Sequence, residues 1–245
     1  MKIKTISIIT LSVFVICAAV GITVKQNCRK FDWNNVVVGV FWEDMLNDEV
    51  IKMYEEELPK SKNILCVRVL DDFKEGSYCS TQEVEIIKTF KSDNLKVGDK
   101  IKITPEVSST VNGDTSDFDD EYGEDNKYDT FFYPYSRDSE YNVNMYFVNR
   151  MTVGENYLIF TDDEIAKGSG IYSLPNEDIL IAPFFAYKNK NNTPAGIDAE
   201  YEYNESFGHS VKYEQLKNNE FFGDTQKCID NFNKLKKYLI EKYPE

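Results

Sequence analysis

Twice in this chain a valine-glycine-acid triplet opens onto apolar residues at strand spacing: LKVGDKIKI from Leu95 and MTVGENYLIF from Met151. Such a pattern restricts the fold strongly. Glycine takes φ > 0 without a Cβ penalty, so Gly98 and Gly154 are candidate structural turns, and the following carboxylate can bond to nearby backbone amides. Ile101 and Ile103 then alternate with Lys100, Lys102 and Thr104, the period of a half-buried strand. Tyr157 to Phe160 reads as a fully buried strand. The repeat is shorter than the ~20–50 residues of a solenoid unit. Two turn-plus-strand units within one antiparallel meander account for it.

The surrounding chain supplies the partners. Leu46, Val50, Tyr54 and Leu58 recur at helical spacing between acids, which predicts an amphipathic helix from Glu43 to Leu58 closed by Pro59. Strands are expected at Ile64–Leu70 and Tyr78–Phe90 around a turn at Asp71–Gly76. Thr225 to Tyr243 places Cys228, Phe232, Leu235, Leu239 and Tyr243 on one helical face, as a helix packing on the sheet would.

The order of these pieces resembles the TIMP-like, netrin-like group of OB-fold domains, especially its bacterial members. The matching stretches are Ser61 to Val69, Val84 to Ile103 and Val153 to Phe160, within about residues 43–105 and 150–187. The chain departs from that pattern at Lys91-Ser92, where the group has Lys-Gly, and at Arg68, where it has glycine. The resemblance implies an OB-like antiparallel β-barrel, mainly β in an α+β chain, with flanking helices. In the animal inhibitors of this group an N-terminal cysteine chelates a protease zinc. Here Cys28 lies behind a hydrophobic segment with Lys25 just upstream, so it has no free amine with which to act.

That segment is the second constraint. Thr5 to Val24 carry no charge, and Lys2, Lys4, Lys25, Arg29 and Lys30 flank them. At ~1.5 Å per residue a helix of this length crosses ~30 Å of hydrocarbon. Residues 1–30 therefore read as a transmembrane signal-anchor. The alternative is a signal peptide cleaved after Ala19-Val20-Gly21, which would release a secreted body. Residues 31–224 form the expected barrel domain and 225–245 its C-terminal helix. Beyond the anchor, Cys28, Cys66, Cys79 and Cys228 permit disulfides in an exported body. A symmetric hairpin about Asp72 and Phe73 would set Cys66 opposite Cys79, a candidate disulfide; the alternative is two small apolar core residues.

Composition narrows the function classes. The 245 residues carry a formal charge of -14, which disfavours phosphate backbones and anionic lipid surfaces. Much of the acidity sits in an insertion at about 107–143, including DFDDEYGED from Asp117. Its spacing departs from an EF-hand, because Gly123 falls seventh where the loop needs glycine sixth. A solvated loop, dispensable to the barrel, is the expectation. One histidine, His209, and the lack of C-x-x-C, H-E-x-x-H or a nucleophile elbow leave no visible catalytic or metal motif. No cofactor is implied. The expectation is a membrane-anchored extracytoplasmic binding module, not an enzyme, whose partner is a protein or surface ligand and not nucleic acid. Protease inhibition through loops at the barrel mouth and a cryptic surface hydrolase are the alternatives.

Overall fold

The computed structural model describes residues 36–40, 46–72, 74, 81–104, 109–111, 141–143, 147–175, 181–195 and 209–245. The chain divides into two compact units, Met1–Asp32 and Trp33–Glu245, and every described residue belongs to the second. The anchor segment, Cys79 and the DFDDEYGED stretch lie outside the described residues. Among the described residues no helix is long and apolar enough to cross a membrane.

The fold is mixed α+β with strands predominating. In chain order the elements are β1 (Val36–Val40), α1 (Asp48–Glu57), β2 (Asn63–Val69), β3 (Gln82–Lys91), β4 (Lys100–Thr104), β5 (Ser109–Val111), β6 (Tyr141–Val143), β7 (Asn156–Thr161), β8 (Ile171–Ser173), β9 (Phe184–Ala186), β10 (His209–Lys212), α2 (Tyr213–Leu216) and α3 (Gln226–Lys242). They make a six-stranded sheet in the order β8-β4-β3-β2-β7-β9 and a four-stranded sheet in the order β10-β1-β6-β5. Pairing is antiparallel except for β4 with β8 and β1 with β6.

The expected barrel closure does not occur. The six-stranded sheet stays open, and groups other than a further strand bond to each of its edges. At β8 the chain folds back on itself: the Ile165 amide donates to the Ile171 carbonyl at 2.9 Å, and the Ser173 amide to the Asp163 carbonyl at 3.1 Å. At β9 the Ala186 amide donates to the Glu220 carboxylate at 2.7 Å. With their donors engaged, the edges have less to offer each other.

The helices form where caps and periodicity agree. The Asn47 side chain accepts from the Glu49 and Val50 amides, both at 3.0 Å, so α1 begins after Asn47 and not at Glu43. Thr225 caps α3 by accepting from the Cys228 amide at 3.2 Å. The buried residues of α3 are Cys228, Ile229, Phe232, Leu235, Lys236 and Leu239. Phe232 stacks on Phe185 at 5.8 Å and on Phe221 at 4.4 Å between centroids, which seats the helix on the sheet. α1 joins the same core: Tyr54 accepts from the Ile181 amide at 2.8 Å, and Asn231 of α3 donates to the Leu46 carbonyl at 2.6 Å.

Ser92, at the place of the group's glycine, does turn work with its side chain. Its hydroxyl donates to Asn63 Oδ1 at 2.7 Å and accepts from the Leu95 amide at 3.0 Å. The two ends of the acidic insertion zip together as β5 and β6, with Ser109 opposite Val143.

The hairpin register differs from the symmetric one. Val69 pairs with Val84, and Lys74 still bridges Thr81, so the chain reverses later than Phe73. Cys66 consequently lies opposite Lys88 on one side and Leu158 on the other. It is a free, buried thiol.

Candidate functional site

The two Val-Gly-acid turns share one backbone geometry. In each, the acid's amide donates to the carbonyl three residues back: Asp99 to Lys96 at 3.1 Å and Glu155 to Thr152 at 3.2 Å. In each, glycine has positive φ, 90° at Gly98 and 81° at Gly154. Val97 and Val153 are not among the positive-φ residues, so both are type II turns. Each turn also docks on a neighbouring strand. The Gly98 amide donates to the Ile86 carbonyl at 2.8 Å and the Ile86 amide to the Asp99 carbonyl at 2.9 Å; Gly154, Val69 and Glu155 repeat this at 2.9 and 3.1 Å.

The acids differ. Asp99 closes its own turn by accepting from the Lys96 amide at 2.8 Å. The longer Glu155 reaches Lys188 at 3.1 Å and Lys190 at 3.3 Å instead. Burial tends to raise the Glu155 pKa, but these two lysines outweigh it and hold the carboxyl below its usual range. Lys190 also donates to Thr152 Oγ1 at 2.7 Å and to Tyr157 Oη at 3.0 Å. Burial acts against its charge, while Tyr157 and Glu155 win and raise its pKa. The Thr152 amide completes the knot by donating to Tyr157 Oη at 2.9 Å. The Thr152–Glu155 turn is thus a braced ridge.

On one side of this ridge lies a cleft of about 500 Å³, lined by Asp72, Asn149, Arg150, Met151, Thr152, Val153, Tyr213, Glu214, Lys217 and Asn218. Its walls come from the end of the six-stranded sheet and from α2, which packs on β1 of the smaller sheet. Buried hydrogen bonds set its floor. Asn149 donates to the Lys217 and Asn219 carbonyls at 3.0 and 2.8 Å, and accepts from Tyr213 Oη at 3.0 Å. Arg150 donates through Nε to Tyr213 Oη at 3.3 Å and through Nη1 to Asp72 at 2.6 Å. Gln82 behaves as a stretch of backbone beneath, exchanging bonds of 3.0 and 3.1 Å with the Met151 peptide.

Of the residues singled out in the sequence, Gly154 sits in the ridge and Gly98 in the equivalent turn beside β3. Cys66 is remote from the cleft, beneath Tyr187; burial pushes its thiol up to about 11. His209 pairs through its backbone with Val40 in β1. No group of three or more His, Cys, Asp or Glu among the described residues could hold a metal ion. Asn149, Arg150 and Tyr213 carry no motif, and nothing local in the sequence marks them. They meet only because β10 and α2 return to the Phe147–Met151 segment. No protein-family profile, curated protein or solved structure matches this chain.

Proposed function

We propose that this chain is a non-catalytic binding module, tethered outside the cytoplasm by its Thr5–Val24 segment, that takes a protein or surface ligand into the cleft beside the Thr152–Glu155 ridge. The observation that carries the reading is the preformed polar cleft. Its donors and acceptors are positioned by buried bonds of Asn149 and Tyr213, as in sites that bind without large rearrangement. Paired opposite charges at its rim, Arg150 with Asp72 and Lys217 with Glu214, suit a polar ligand of mixed charge. The duplicated type II turns, and Ser92 acting in a turn, favour the TIMP-like, OB-derived scaffold in an opened form. The non-catalytic part rests on the sequence, with its single histidine and no nucleophile motif.

The test is co-purification from detergent-solubilised membranes, comparing the native chain with an Asp72→Lys, Lys217→Glu double variant. A partner retained by the native chain and lost by the variant supports the reading. An identical set from both sinks it. The tether is checked by washing membranes with high salt and alkali. Retention is expected, and soluble protein beginning at Ile22 would mean a cleaved signal instead.

A second reading, protease inhibition by loops, draws on the exposed valines at the two turn tips, Val97 at 64% and Val153 at 49% exposure. It predicts that the captured partner is a protease and that binding blocks its activity.

A further inference from the structure

The end of α3 delivers Tyr243, Pro244 and Glu245 onto the six-stranded sheet. The Tyr243 ring packs against Phe90 and Phe160, at 5.4 and 5.9 Å between centroids. Three donors then hold the last three residues in turn. Tyr187, just after β9, donates its hydroxyl to the Tyr243 carbonyl at 2.8 Å. Lys88 of β3 donates to the Pro244 carbonyl at 2.8 Å. Asn156 of β7 donates to the Glu245 carboxylate, and is itself held by Arg68 Nε of β2 at 3.2 Å.

Together with Glu245, the residues Arg68, Gly154, Glu155, Asn156, Tyr187 and Lys188 line a cavity of about 310 Å³. Its one other carboxylate, Glu155, is already neutralised by Lys188 and Lys190. In a chain of net charge -14, Arg68 and Lys188 line one cavity with Glu245, and Lys88 takes the carbonyl of Pro244 beside it.

Pro244 and Glu245 are exposed, so they add little to the core, yet both are bonded. Two of the three contacts go to main-chain carbonyls and read no side chain, while the third takes a carboxylate. Such a groove fits extended backbone with an acidic residue. We propose that this groove is a docking site for an extended acidic peptide segment, held in cis by Pro244-Glu245 and opened when a partner's segment displaces them. The site lies across the ridge from the cleft and does not depend on the cleft's role.

The experiment uses the full chain in detergent and a fluorescein-labelled Pro-Glu-Asp-Glu peptide, followed by fluorescence anisotropy. Glu245→Lys sets a like charge against Arg68 and Lys188 and leaves Tyr243 in its socket. It should bind the peptide about tenfold tighter than the native chain, and a chain ending at Tyr243 should do the same. Adding Arg68→Glu to Glu245→Lys should abolish the gain. The amide peptide Pro-Gln-Asn-Gln should bind about tenfold more weakly, and salt should weaken binding of the acidic one. If the shortened chain fails to fold by circular dichroism, Glu245→Lys carries the test. Equal binding by native chain and Glu245→Lys, equal binding of acid and amide peptides, or no effect of Arg68→Glu would each overturn the proposal.

Discussion

Lys236 is the residue whose loss should be felt most for its size. It lies on the buried face of α3, and its ammonium is 2.5 Å from Glu220, with side-chain exposures of 8% and 2%. Glu220 in turn accepts from the Ala186 amide at the β9 edge. Lys236→Met keeps the apolar stem and removes the charge, leaving a buried carboxylate beside an open strand edge. Breaking a buried pair from one side costs about 3–5 kcal/mol. At ~2–4 °C per kcal/mol for a body of this size, the melting temperature should fall by ~6–20 °C. The sign of the pH dependence follows from Glu220. Burial raises its pKa, against the pull of Lys236 and the Ala186 amide. A carboxyl with a raised folded pKa binds more protons folded than unfolded, so its contribution to stability falls as pH rises through that window. Without Lys236 the folded pKa rises further. The gap between native and variant should therefore be wide at pH 8 and narrow as pH approaches the ordinary carboxylate range, about 4.5. Urea unfolding at several pH values measures it. Adding Glu220→Gln should recover much of the loss, because the amide oxygen still accepts from Ala186. A variant within about 1 kcal/mol of native at pH 8, or a gap independent of pH, refutes the argument.

At Gly98 and Gly154 nothing lies within 4 Å of a built Cβ, so substitution there costs backbone strain and not collision. Valine should lose ~1–3 kcal/mol at each site, alanine less and asparagine least, by denaturant unfolding; valine tolerated as well as asparagine would remove the shared turn role. The Cys66 thiol, raised to about 11 by burial, should resist alkylation in the native chain at neutral pH. Its neutral form stabilises fully below the unfolded thiol pKa of about 8.5, and that stability should fade as pH climbs toward about 11, a loss that Cys66→Ala should abolish. Replacing residues 112–140 with a short turn should leave the melting temperature within a few degrees, since β5 and β6 still zip the ends; cutting from Ser108 removes β5 and should cost more.

The α3 face was legible because helical period alone puts Cys228, Phe232, Leu235 and Leu239 in line. The burial of Lys236 was not, because it answers to Glu220 in a loop that periodicity does not place. The start of α1 lies five residues after the expected Glu43, because Asn47 reads as mid-helix until its side chain is seen capping. Cys66 lies opposite Lys88 for a similar reason. Irregularities at Ile64/Leu65 and Cys66/Val67, with the added Lys74–Thr81 bridge, break the symmetry that a hairpin count assumes. Closure of the sheet turns on its edges: Glu220, 34 residues past Ala186, takes a donor at β9, and the stretch just before β8 folds onto the other edge. The cleft was invisible for the same reason, since Asn149, Arg150 and Tyr213 converge from separate segments.

The ridge decides whether the cleft and the groove behave as one site or two. Thr152 and Val153 face the cleft, and Gly154 and Glu155 face the groove. A ligand on one side could reach the other only if this turn had a second arrangement to move into. Its braces argue against that. Lys190 is bonded to Thr152, Tyr157 and Glu155 at once, and the Gly154 amide and Glu155 carbonyl are docked on Val69. Although they share this turn, a ridge with a single arrangement should leave the two cavities energetically separate, to within the ~0.3–0.5 kcal/mol seen for independent sites. Asp72→Lys with Lys217→Glu should leave acidic-peptide binding to Glu245→Lys unchanged, and Arg68→Glu should leave partner capture at the cleft unchanged. Coupling above that level in either direction would show a movable ridge. Lys190→Met should then strengthen the coupling if the brace is what holds the ridge in place.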